Sequence, residues 1–172
     1  MDRESNAEFN DRVIQVGKHL DQWDNGLYTN GTISGYKLDF LIDTGSTVSL
    51  ISNQVQKDIS QSSQDVNQEY LSNGIKTNSF NFPNIESPQD VYSLQNVNGT
   101  NLTTYGMVNL EFSLRSAIFR HQFIVCDITP DAILGQDFLL VKKIDYRSHI
   151  LQTENSDIKC WVGENLERPV VC

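Results

Sequence analysis

The feature that most narrows what this chain can become is a period of two. Val108, Leu110, Phe112 and Leu114 alternate with Asn109, Glu111, Ser113 and Arg115, and Phe119, His121, Phe123 and Val125 repeat the pattern shortly afterwards. Successive side chains of a strand point to opposite faces, so each run builds one apolar and one polar face. Leu38, Phe40 and Ile42 alternate with Lys37 and Asp39 in the same way. Shorter apolar runs at 27–29, 132–134, 150–151 and 158–162 read as further strands. Turn dipeptides punctuate them: Asn30-Gly31, Ser34-Gly35 and Asn98-Gly99, of which Asn-Gly is favoured in tight hairpins because both residues accept positive φ. Ser52 is a fair N-cap for a short helix over 53–59, with Val55 and Ile59 on one face, and 135–140 reads as a second short helix. The sum predicts an all-β, barrel-like domain with one or two short helices and no internal repeat.

A length of 172 residues favours one domain and buries a core without disulfide staples. Residues 1–22 read as a polar leader or edge strand, 23–162 as the domain and 163–172 as a tail. Within the domain, 60–92 is rich in Ser, Gln and Asn, a composition that does not readily offset its ordering entropy. It is expected to be a long mobile insertion, with one strand near Phe80, Phe82 and Ile85. A net charge of −9 without clustered Lys and Arg argues against nucleic acid as a partner. No apolar run approaches the roughly 20 residues that span a bilayer. The charged start lacks a secretory pattern, so a cytoplasmic or nuclear setting is expected. Cys126, Cys160 and Cys172 are odd in number and form no C-x-x-C pair, so they read as reduced thiols. His19, His121 and His149 are scattered, no spacing resembles a zinc site, and neither metal nor cofactor is expected. The Asn-x-Thr triplets at Asn30, Asn98 and Asn101 read as turns rather than glycosylation sites.

The chemistry concentrates in Phe40-Leu41-Ile42-Asp43-Thr44-Gly45-Ser46. Three apolar residues lead into the acid and Val48-Ser49-Leu50-Ile51 follows, so a core strand delivers Asp43 to a tight Gly turn. A bare Asp-Thr-Gly more often marks a polar turn, but the apolar flanks place this one at the core. An ionised carboxylate there needs a partner or a raised pKa. Thr44 offers a bridging hydroxyl, Gly45 lets a backbone pass close to the acid, and Ser46 is placed to donate to a carboxylate oxygen.

Two further motifs follow in order: a hairpin over 96–106 with its tip near Gly99, and Ala132-Ile133-Leu134-Gly135-Gln136-Asp137-Phe138-Leu139. Together with the Asp43 stretch, they make residues 26–154 resemble the retropepsin family, the proteases of retroviruses and long-terminal-repeat retrotransposons. The Asn-Gly-Thr hairpin and the Leu-Gly-x-Asp-Phe-Leu run are especially like Gypsy-type proteases. The resemblance implies a retropepsin-like acid-protease barrel with one lobe per chain. It implies that Asp43 is the catalytic acid of an aspartic endopeptidase, with Thr44 locking two active-site loops together and Gly45 lining the cleft. Asn98, Gly99 and Thr100 would fold over an extended peptide or polyprotein substrate. Leu134 and Gly135 would support the catalytic loop from behind, where a side chain at 135 would collide with it.

In such enzymes two carboxylates about 3 Å apart share one proton, which suits mildly acidic pH. Pepsin-like enzymes carry both acids in one longer chain, but this chain has a single Asp-Thr-Gly and no Asp-Ser-Gly. A homodimer is therefore expected, with Asp43 and its twin on the two-fold axis. The stretch 60–92 is longer than the family pattern, and no other retroelement segment accompanies the domain. The rival reading is a catalytically silent module of the same fold that dimerises or binds peptides.

Overall fold

The computed structural model describes residues 13–15, 26–62, 83, 85, 93–96 and 98–163. The insertion expected within 60–92 and the tail beyond 163 fall almost entirely outside those residues. So does the leader, apart from strand β1 (Val13–Gln15), which pairs in parallel with β5 (Ser93–Gln95).

The central sheet is a closed barrel of six strands: β2 (Leu27–Ile33), β3 (Tyr36–Ile42), β8 (Ala132–Leu134), β4 (Leu50–Ser52), β7 (Ala117–Cys126) and β6 (Thr104–Leu114). A β2–β6 pairing through Gly31 and Thr32 closes the ring. Strand β12 (Trp161–Val162) lies alongside β2, and β9 (Lys143–Asp145), β10 (Ile150–Gln152) and β11 (Asp157–Lys159) form a separate antiparallel sheet. Helix α1 covers 53–62 and α2 is Gln136–Leu139. Ser52 Oγ accepts from Gln54 N at 3.2 Å, the N-cap bond that the sequence suggests. Among the described residues no helix is long and apolar enough to cross a membrane.

The alternating runs explain the barrel. The inward residues of β6, namely Val108, Leu110, Phe112 and Leu114, are all buried while Asn109 and Glu111 are exposed. Phe112 is the hub of an aromatic core, with ring centroids 5.2 Å from Phe40, 5.3 Å from Phe123 and 5.7 Å from Phe138. Pairs at such spacings add to what area burial alone contributes. Cys126 and Cys160 are buried free thiols, and burial pushes the Cys126 thiol up to about 12, which leaves it a packing group.

One turn differs from expectation. Asn30-Gly31 is not a hairpin tip but the middle of β2, paired with Asp39 and Leu38. The turn falls at Ser34-Gly35, whose φ values of 50° and 78° are both positive, as a two-residue hairpin requires. Gly31 serves close approach instead: a Cβ there would lie 2.1 Å from Ser113 O and 2.6 Å from the Phe40 ring. The closing run 158–162 is also two strands, broken at buried Cys160, and β9 was not legible as a strand.

Candidate active site

Strand β8 decides where Asp43 goes. It pairs in parallel with β3, setting Ile42 opposite Leu134, and antiparallel with β4 on its other side. Residues 43–49 must therefore arch from β3 to β4 over the end of β8. The arch is anchored at its first residue, where Asp43 N donates to Leu134 O at 3.0 Å. It then turns tightly, with Ser46 N donating to Asp43 O at 3.1 Å. Gly135 fills the space beneath, where a Cβ would lie 2.3 Å from Val48 O and 2.8 Å from Ser46 O. No flexible side chain absorbs that overlap, because both contacts are backbone.

Asp43 is only 4% exposed. One carboxylate oxygen, Oδ1, accepts from Gly45 N at 2.9 Å. The other, Oδ2, is buried and without a hydrogen-bond partner in this chain. Buried polar atoms are nearly always satisfied, so an orphan carboxylate oxygen marks an incomplete site. Asp43 and Thr44 line a cleft of about 270 Å³, together with Leu27, Ile42, Tyr146, His149 and Val162. Thr44 and Gly45 are exposed. Ser46 departs from expectation. Its hydroxyl is fully buried and donates to Val48 O at 2.7 Å, so it braces the arch and the Gly45 amide serves the carboxylate instead.

The hairpin tip is not part of the lining of this cleft among the described residues. Asn96 organises it: its side-chain Oδ1 accepts from Asn98 N and Thr100 N, and its backbone N donates to Thr100 O at 2.9 Å. Gly99 carries the positive φ of 79°, and Asn98, Gly99 and Thr100 are all exposed.

Sequence reasoning missed the groups that hold the arch from outside. Gln136 Nε2 donates to Thr44 O at 2.7 Å, and Asp137 receives both the amide and the hydroxyl of Ser49. Asp137 was traceable as a polar residue inside an otherwise apolar run, but its partners lie far away in sequence. Nothing in the sequence connects Tyr146 and His149, on the β9–β10 turn, with the Asp43 cleft.

No protein-family model matches this sequence, and none of the curated proteins matches it significantly. Solved structures do. The crystal structure of the retroviral protease-like domain of Ddi1 from Leishmania major superposes with a TM-score of 0.53 at 16% identity, over 80% of this chain and 94% of that one. EIAV protease in an inhibitor complex matches at 20% identity and TM-score 0.42, covering 70% of this chain and 90% of that one. A retropepsin-like aspartic protease from Rickettsia conorii matches at 14% identity and TM-score 0.35, covering 69% and 74%. The fold assignment rests on the first of these and on the strand order. On topology and superposition together, this chain has the fold of the retropepsin-like acid proteases.

Proposed function

We propose that this chain is one subunit of an aspartic endopeptidase whose active site forms when Asp43 meets the Asp43 of a second copy. The observation that carries the reading is the buried, unpartnered Oδ2 of Asp43 beside a cleft. A second carboxyl group, protonated, supplies the donor that this oxygen lacks. Two carboxylates at such range share one proton, so the pair holds one acid and one base at mildly acidic pH. The ionised member takes a proton from a water, and the water oxygen attacks the scissile carbonyl. The protonated member donates to the carbonyl oxygen as negative charge develops there.

Exposed Thr44 and Gly45 supply the surface on which two arches meet and an extended peptide lies. The tip at Asn98, Gly99 and Thr100 closes over the peptide, which is held through backbone hydrogen bonds. The folded unit is 23–162, acting in the cytoplasm or nucleus on a polyprotein of the retrotransposon type. The test compares the purified chain with Asp43→Asn on an unstructured protein at about pH 5, where a shared proton is retained. Each is run with and without a statine-type mimic of the tetrahedral intermediate. Cleavage that the mimic blocks and Asp43→Asn lacks is the expected result. Cleavage that survives in Asp43→Asn refutes the role of Asp43, and no cleavage by a confirmed dimer favours the silent module.

A further inference from the structure

Besides Asp43 Oδ2, the described residues hold one other buried side-chain atom without an aligned hydrogen bond, His121 Nε2, and it lies behind the same arch. This nitrogen sits 2.9 Å from Asp137 Oδ2, a close polar contact whose direction misses hydrogen-bond alignment. The imidazole is fixed by edge-to-face packing on Phe123 and Phe138, at 5.7 and 5.4 Å between centroids.

Asp137 in turn grips Ser49, the last residue of the arch, with both oxygens. Ser49 Oγ donates to Oδ1 at 2.7 Å and Ser49 N donates to Oδ2 at 3.1 Å. The same Ser49 hydroxyl accepts from Gly135 N at 3.1 Å, so Gly135, Ser49 and Asp137 close a ring. Ser49 is 1% exposed, which leaves its donors no water to fall back on. Two backbone bonds run alongside, Gln136 N to Ser46 O and Asp137 N to Thr47 O, at 2.7 and 3.2 Å. Thus the first turn of α2 holds the middle of the arch and the Asp137 side chain holds its end. Burial works to raise the Asp137 carboxyl, but the contacts from His121 and Ser49 outweigh it and keep the carboxyl below its ordinary range. The group behind the arch is therefore a carboxylate.

We propose that Asp137 is a positioning residue for Asp43: backed by His121, it fixes the Ser49 end of the arch, so turnover depends on it more than peptide binding does. This rests on the reading of Asp43 as the catalytic acid. Catalytic geometry is unforgiving, and a misplacement of about 1 Å can cost on the order of a hundredfold in rate. Peptide held by the flap and floor backbone is far less sensitive to such a shift.

The test uses Asp137→Ala, Asp137→Asn, Ser49→Ala and the Ser49→Ala/Asp137→Ala double variant, each at matched dimer concentration. Wild type and Asp43→Asn run beside them. Asp137→Ala is expected to lower kcat by about a hundredfold while KM changes by less than about threefold. Asp137→Asn keeps an acceptor for Ser49 and is expected to recover about a tenth of wild-type kcat. The double variant is expected to be no slower than the slower single, because both changes cut one connection. Amide hydrogen exchange at Ser46 and Ser49, read without any substrate, is expected to quicken at least about tenfold in Asp137→Ala. Unchanged kcat together with unchanged exchange overturns the proposal, as does a loss carried by KM or additive losses in the double variant. If Asp137→Ala does not fold, Asp137→Asn decides by the same split between kcat and KM. If wild type shows no turnover that requires Asp43, the peptidase reading fails, and exchange alone then decides whether Asp137 holds the arch.

Discussion

The arch at 43–49 and the hairpin tip at 96–100 are held in opposite ways. Besides its own turn bonds, the arch takes bonds from far along the chain, such as Gln136 to Thr44 across 92 positions and Asp137 to Ser49 across 88. Among the described residues of the tip, the bonds span four positions or fewer and return to Asn96. A loop fixed by distant elements moves only if the barrel moves, whereas a self-contained tip can swing as a unit about its strands. On the proposed reading, the difference suits a peptidase: a rigid acid and a movable cover.

The contrast can be broken most severely at Asp43. Asp43→Asn leaves the arch folded, because its backbone bonds to Leu134 and Ser46 do not involve the carboxylate. Turnover is expected to fall by at least about 10²–10⁴-fold, measured as initial rate on a peptide at fixed dimer concentration. Gly135→Ala attacks the arch from beneath. The added carbon would press on the Val48 and Ser46 backbone, so a loss of about 3 kcal/mol in a denaturant titration is expected, with folding lost in a marginal background. A change at Gly99 sharpens the other side of the comparison. A Cβ there meets nothing within 4 Å, so Gly99→Ala strains only the φ of 79°. The expected loss is about 1 kcal/mol, confined to the tip, with KM for peptide rising and the global unfolding midpoint nearly constant.

The smallest effect concerns pH. Because the Asp137 carboxyl is held below its usual range by His121 and Ser49, against the pull of burial, its contribution is present above the ordinary carboxylate value of about 4. That contribution is lost as pH falls through the lower folded value. Its side chain is 31% exposed, so solvent screening limits the effect to about 1 kcal/mol. Thermal unfolding of wild type and Asp137→Asn is expected to differ at pH 7 and to converge in strong acid. The arch clamp would thus persist at the mildly acidic pH that a shared proton favours.

Much of this was legible in the sequence where the signal is local. Alternation at 108–115 and 119–125 announced β6 and β7, and the apolar run into Asp43 announced a buried acid, because strand periodicity and burial act residue by residue. Asn30-Gly31 misled for a physical reason: glycine at 31 answers the approach of Ser113 O and the Phe40 ring, a contact between strands that neighbouring residues do not encode. Ser46 misled in the same way, since whether its hydroxyl faced the carboxylate or the Val48 carbonyl depended on how tightly the arch turned. The brace from Asp137 and His121 needed β4, β7 and α2 brought together. Local pattern reports that a residue is polar in an apolar setting, but tertiary packing chooses its partner.

In the proposed enzyme, Asp43 Oδ2 finds its partner on a second copy of the chain. The most direct measurement holds the wild-type concentration fixed and adds Asp43→Asn chain in increasing amounts. Mixed dimers then carry one acid instead of two, so the cleavage rate is predicted to fall towards zero as the variant approaches about a tenfold excess. A rate that stays constant while chain exchange is verified by sedimentation of labelled subunits would mean that each chain cleaves alone, and would contradict the shared acid pair.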